Sequence, residues 1–177
     1  AVEVSTLKLE LLVFDDDVDL TTLTTFDTGL TVSLANGGGK TLALTHLEGN
    51  RIFIAYEGGS NTGRVDGVVY EYDEQLQTFH QVLSPFEIGT STGASVRAAI
   101  DAVTLEDNRV AVVWKSNTNQ ILMRIYDALG NALINETNVD AAFTYNNSEI
   151  SLEVEPVGTA LVVHYGNIAS QAYAQVF

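Results

Sequence analysis

Three groups of residues have the types and spacing to do chemistry. Asp15, Asp17 and Asp19 stand at i, i+2 and i+4 inside the run Asp15-Asp16-Asp17-Val18-Asp19. Hard cations take several oxygens at once, and alternate carboxylates in a turn can supply them. The Gly and distal Glu of an EF-hand are missing, since Leu20 and Thr21 follow, so the run reads either as a calcium turn or as a solvated acidic turn. The second group, Asn36-Gly37-Gly38-Gly39-Lys40-Thr41, has the look of a phosphate loop but has Leu34 where that motif needs its first glycine. Its flanks read as strands, which makes it a hairpin turn. The third group is Tyr56, Trp114 and Tyr165, one aromatic recurring at the end of similar apolar runs. On a sheet surface such rings would stack on sugars, and inside it they would pack neighbouring sheets together.

Other chemistries find little support. His46, His80 and His164 have no metal-ligand spacing, and the sequence holds no cysteine, which removes disulfides, thiol catalysis and cysteine-zinc sites. No serine lies in a Gly-x-Ser-x-Gly elbow. Acid-base work would need carboxylates converging near a common axis, for which Asp101 and Glu149 are candidates that spacing alone does not bring together. No enzyme is expected and no cofactor, with calcium at Asp15–Asp19 as the one ion the chain would suit. Asn135-Glu136-Thr137 and Asn146-Asn147-Ser148 are glycosylation sequons, relevant only in a eukaryotic secretory setting.

Composition narrows the partners. With 23 acidic against 8 basic residues the formal charge is −15, a surface that repels phosphate backbones and argues against nucleic acid. At 46% hydrophobic residues the chain can bury a core, so disorder is not expected. No apolar run approaches the roughly 18 residues of a membrane span. The segment AVEVSTLKLE lacks the basic-then-apolar plan of a signal peptide.

The elements that would position these groups are strands. Thr, Val, Asn and Gly abound, and no window sustains a capped 3.6-residue period. Leu7, Leu9, Leu11 and Val13 alternate with mostly polar neighbours and lead to Phe14 as a half-buried strand. Leu20–Phe26 and Leu30–Leu34 read as two further strands. The clearest stretch is Val103–Ile134. There Glu106-Asp107-Asn108 turns, Val110–Trp114 is an apolar strand, Ser116–Asn119 turns, Ile121–Tyr126 is a strand and Asp127–Asn131 turns again. Pro85 belongs in an edge strand or a loop.

This unit repeats. Thr41–Arg51 aligns with Ala99–Arg109 at an offset of 58 residues, with Leu-Glu-(Gly or Asp)-Asn-Arg almost intact. Ile52–Tyr56 then matches Val110–Trp114, and Val68–Asp73 matches Leu122–Asp127. Gly158–Tyr165 repeats the second strand and Ala172–Phe177 the third, with 51 residues between Trp114 and Tyr165. A period near 50 with four short strands per unit predicts propeller-like blades, with a β-sandwich of repeated hairpins as the alternative. The division expected is one all-β domain over 1–177, of repeated four-stranded antiparallel meanders. It carries three imperfect repeats at about 41–98, 99–148 and 149–177, and a strand-completing segment over 1–40.

The segments RVAVVWKS, ILMRIYDALGNAL, ALVVHYGN and QAYAQVF resemble the β-propeller-type blade repeats of large secreted bacterial adhesins and some phage virion proteins. Those repeats read as Gly, four apolar residues and Trp, then Tyr-Ala-Gln-Arg-Phe-Asp-x-x-Gly. The resemblance implies a non-enzymatic structural or interaction protein on an exterior surface, extracellular or on a virion, as a virion or adhesin component. Three blades are too few for a ring of at least about four, and an open sheet edge invites pairing. Assembly through sheet edges with copies of itself or other surface proteins is therefore the expected function. A carbohydrate-binding propeller lectin is the alternative, with loops between blades holding glycans and Tyr56, Trp114 and Tyr165 as its candidate ligand-binding rings.

Overall fold

A computed structural model describes residues 6–13, 24–33, 42–58, 63–91, 99–116, 118, 120–139, 150–157, 160–167 and 171–176. Thirteen strands lie in these residues. Strands β1 (Thr6–Val13) and β2 (Thr24–Ser33) pair as a first, two-stranded antiparallel sheet. Strands β3 (Leu42–Leu47), β4 (Arg51–Glu57), β5 (Arg64–Asp73) and β6 (Thr78–Thr90) form the second sheet in sequential order. The third repeats that plan with β7 (Ile100–Thr104), β8 (Val110–Lys115), β9 (Ile121–Tyr126) and β10 (Ala132–Asn138). The fourth holds β11 (Ile150–Val157), β12 (Ala160–Asn167) and β13 (Gln171–Val176). All named pairings are antiparallel. The fold is all-β and built from repeated antiparallel meanders.

The sheets stack in chain order, and the period of two along each strand shows how. Side chains alternate between the faces of a strand. On β4, Phe53 and Ala55 join a core shared with the third sheet, while Ile54 and Tyr56 join one shared with the first. On β8, Val110, Val112 and Trp114 face the second sheet, and Ala111 and Val113 face the fourth. Each sheet in the middle is therefore apolar on both faces, which is why RIFIAY and RVAVVW read as unbroken apolar runs rather than alternations. Each valine or isoleucine so enclosed contributes about 1.5–3 kcal/mol relative to exposure. A sandwich would have a single core between two layers; here separate cores lie on the two sides of β4 and of β8.

The first strands of successive sheets are neighbours, with β3 against β7 and β7 against β11. Two turns hold their shape by backbone chemistry. At Asp107 and Asn108 the chain enters the left-handed region (φ 69° and 62°), which Asp and Asn tolerate. The Asp127 carboxylate accepts from the backbone N–H groups of Leu129 and Asn131 and from the Asn131 amide, closing the β9–β10 turn.

Two sequence expectations are corrected. The described parts of the expected strands Leu20–Phe26 and Leu30–Leu34 belong to one strand, not two, because β2 runs unbroken from Thr24 to Ser33, with Gly29 at positive φ inside it. In the third strands, Tyr70 rather than Tyr72 is the counterpart of Tyr126: Tyr70 lies opposite Ile52 as Tyr126 lies opposite Val110. The loop before β5 is longer than the one before β9, so alignment by letters slipped by two residues while keeping the face. Pro85 sits exposed on β6, the edge strand of its sheet, where a missing N–H breaks no ladder.

Candidate functional site

The three recurrent aromatics are buried: Tyr56 is 4%, Trp114 0% and Tyr165 3% exposed. Each faces the sheet that precedes its own. Trp114 donates its indole N–H to the Thr90 carbonyl (3.1 Å), and its ring lies against Gly89, where a Cβ would come within 2.5 Å. Burial, with the Asp66 carboxylate as the next cause, pushes the Tyr56 hydroxyl up to about 12. Their ring faces are occupied by packing between sheets. Asp15, Asp17 and Asp19 lie outside the described residues, as do Glu149 and the Asn36–Thr41 turn. Asp101 is buried on β7 and accepts the Val154 N–H at 2.8 Å, so it ties the third sheet to the fourth.

What the fold does bring together is a cleft of about 520 Å³ between the third and fourth sheets. Its floor is apolar: Met123 and Ile125 of β9 and Leu161 of β12 are buried there, with Ile134 of β10 beside them. The β11–β12 side adds Pro156 and Ala160. One rim is polar and comes from the turn Leu105–Arg109, with Thr137 of β10 nearby. Arg109 donates from Nε to Asp107 Oδ1 at 2.8 Å, and both side chains are open to solvent. The Arg109 terminal nitrogens, the second Asp107 oxygen and the exposed Glu106 carboxylate thus share one rim.

Register explains why this wedge is open. Phe53 of β4, which is opposite Val69, corresponds to Ala111 of β8, which is opposite Ile125. Phe86 lies opposite Gly67 in the second sheet, and Thr137 lies opposite Met123 in the third. At the junction of the second and third sheets, Phe53, Phe86 and Tyr126 fill the wedge, with ring centroids 5.3–6.3 Å apart. At the next junction two of those rings are replaced by alanine and threonine.

The inner strands differ in the same sense. Thr45 and Thr104 share a hydroxyl hydrogen bond of 2.9 Å, Thr104 N–H donates to Thr45 Oγ1, and Thr104 Oγ1 donates to the His46 carbonyl. Glu48 N–H adds a bond to Asn108 Oδ1 at 2.8 Å. By cross-strand register the corresponding pair one sheet on is Val103 and Pro156, which have no side-chain hydroxyl to share.

Sequence reasoning passed over Arg109, Glu106, Asp107, Thr137, Met123, Ile125 and Leu161. One signal was present: Leu-Glu-(Gly or Asp)-Asn-Arg recurs, yet the apolar residue two places after the arginine changes from Phe53 to Ala111.

No family model and no curated protein matches this chain. Among solved structures, a variant of the Aleuria aurantia lectin in complex with Fucα1-6GlcNAc superposes with a TM-score of 0.54 at 12% identity, over 88% of this chain and 50% of that one. The lectin variant in complex with α-methyl-L-fucoside also gives 0.54 at 12% identity, over 97% and 56%. The fold is β-propeller-like. The chain spans about half the length of the lectin chains it matches.

Proposed function

We propose that this chain is a non-catalytic carbohydrate-binding propeller module whose sugar seat is the cleft between the third and fourth sheets. The observation that carries this reading is the pairing of an apolar floor with a one-sided rim holding both donors and acceptors. A pyranose has a C–H face that packs on apolar surface. Its adjacent hydroxyls each donate and accept, and a guanidinium beside a carboxylate answers both needs. A cleft of about 520 Å³ with few polar groups is in the usual range for small-ligand sites. The likeness in fold to a lectin solved with fucosides supports the reading, at an identity that speaks for fold alone.

The test is a glycan array on the intact chain followed by titration calorimetry of any hit. Arg109→Ala is expected to lower affinity at least about tenfold, as loss of a charge-assisted bond would, with denaturation unchanged. Undiminished binding by Arg109→Ala would remove the sugar from this cleft.

A second reading is assembly through sheet edges as a structural component of an exterior, virion or adhesin surface. What favours it is the outermost strands: Val82 of β6 and Leu133 of β10 are 44% and 50% exposed on edges with no partner strand among the described residues. Light scattering tests it, and a monomer at micromolar concentration would dismiss it.

A further inference from the structure

We infer, resting on the sugar reading of the cleft, that the site selects neutral over acidic sugars and that Glu106 makes the selection. The Leu105–Arg109 turn brings two carboxylates and one guanidinium to the rim. The guanidinium is answered within the turn, because Arg109 Nε is bonded to Asp107 Oδ1 at 2.8 Å. Its charge is therefore offset, although its terminal nitrogens remain able to donate. Glu106 is exposed and has neither a hydrogen bond nor an ion pair among the described residues, so one negative charge stands uncompensated at the mouth. Among the described residues the sheets behind offer the cleft no further cation: Met123, Ile125, Ile134, Thr137, Pro156 and Leu161 carry no charge. The whole chain, at −15, adds a field of the same sign.

The second sheet shows that this arrangement follows from how the motif is used and not from the motif alone. There Arg51 reaches across to Glu71 on the neighbouring strand at 2.7 Å, and Glu48 follows its turn in a backbone bond to Asn108. In the third sheet the strand-end acid is Asp127, which is spent on its own turn with Asn131 and Leu129. Arg109 accordingly pairs locally, and the Glu106–Asp107–Arg109 set is presented to the cleft.

The discriminating probes are a hexose and its uronic acid, such as galactose and galacturonate, which differ only in a CH₂OH or a carboxylate at C6. Displayed at equal density, the hexose is expected to bind roughly tenfold or more tightly at low salt, a gap that added salt narrows because the repulsion is screened. Glu106→Gln is expected to raise uronate binding severalfold and so narrow the hexose-to-uronate ratio. Equal binding of both sugars, preference for the uronate, or no response of the ratio to Glu106→Gln would overturn the inference while the sugar reading stands. Silence toward every neutral and acidic glycan tried would overturn both.

Discussion

The junction between the second and third sheets and the junction between the third and fourth are made from the same repeat, yet one is sealed and the other is a cleft. At the first, Phe53, Phe86 and Tyr126 meet in an aromatic cluster, and Thr45 and Thr104 lace the inner strands together. At the second, Ala111 and Thr137 replace two rings, Val103 and Pro156 replace the two threonines, and the tie moves to Asp101 and the Val154 N–H. The backbone plan tolerates both because a sheet of this kind needs only apolar volume on each face. How that volume is divided decides whether space is left over. In a propeller-like stack, a handful of side-chain sizes thus separates a structural seam from a candidate binding seat.

The difference can be broken most forcefully at its aromatic side. Phe53→Ala removes a fully buried ring and is expected to cost about 3–5 kcal/mol in urea denaturation. A loss below about 1 kcal/mol would mean that the cluster does not seal this junction. Gly67→Ala attacks the same cluster from beneath, since its Cβ would lie 2.7 Å from the Phe86 ring and 3.0 Å from that of Phe53. It should destabilise by about 1–3 kcal/mol, and Phe86→Leu in the same chain should recover part of that. Thr104→Val, which keeps the shape and removes the hydroxyl bonds to Thr45 and His46, is expected to cost about 1–2 kcal/mol. A neutral result there would show that the lacing is incidental. Thr137→Phe puts back at the open junction the ring that Phe86 supplies at the sealed one. It should change stability by less than about 1 kcal/mol while abolishing glycan binding; retained binding would place the ligand elsewhere.

The smallest effects concern two ionisable residues at one repeat position. Glu57 and Lys115 each follow the recurrent aromatic, Tyr56 and Trp114, and both are buried, at 1% and 0% exposure. Burial pushes the Glu57 carboxyl up, partly opposed by the hydrogen bond that Ser91 Oγ donates to it at 2.6 Å. Burial pushes the Lys115 ammonium down. An acid raised in the folded state gives stability that is full below its unfolded value, near 4.5, and is lost as pH rises through the folded one. A base lowered in the folded state behaves oppositely: its stability is present above 10.5 and lost as pH falls through the folded value. Glu57→Gln should therefore remove a loss of stability that sets in as pH rises above about 4.5, and Lys115→Met a gain that builds as pH rises toward 10.5. If neither variant changes the curve, the burial of these groups carries no linkage.

Much of the architecture was legible in the chain because it rests on local rules. Alternation, Gly and Asn turns, and the recurrence of Leu-Glu-x-Asn-Arg with its following apolar run identify strands and their repeat, and each depends only on near neighbours. The equivalence of Tyr56, Trp114 and Tyr165 was readable for the same reason, and all three point to the preceding sheet. A repeated aromatic at a strand end favours packing between sheets over a ligand face, but which neighbours enclose each ring turns on what lies across the sheet. The exact partner of Tyr126 was hidden too, because loop length before β5 shifts the letters relative to the ladder. The cleft belongs wholly to the tertiary level. Its floor comes from β9, β10 and β12 and its rim from the β7–β8 turn, segments joined only when two sheets pack face to face. Sequence determined that this chain makes stacked antiparallel meanders, because pattern and turn chemistry act over a few residues. Packing decided which junction is filled and which is left open, because volume is balanced only between residues the fold brings together from far apart in the chain.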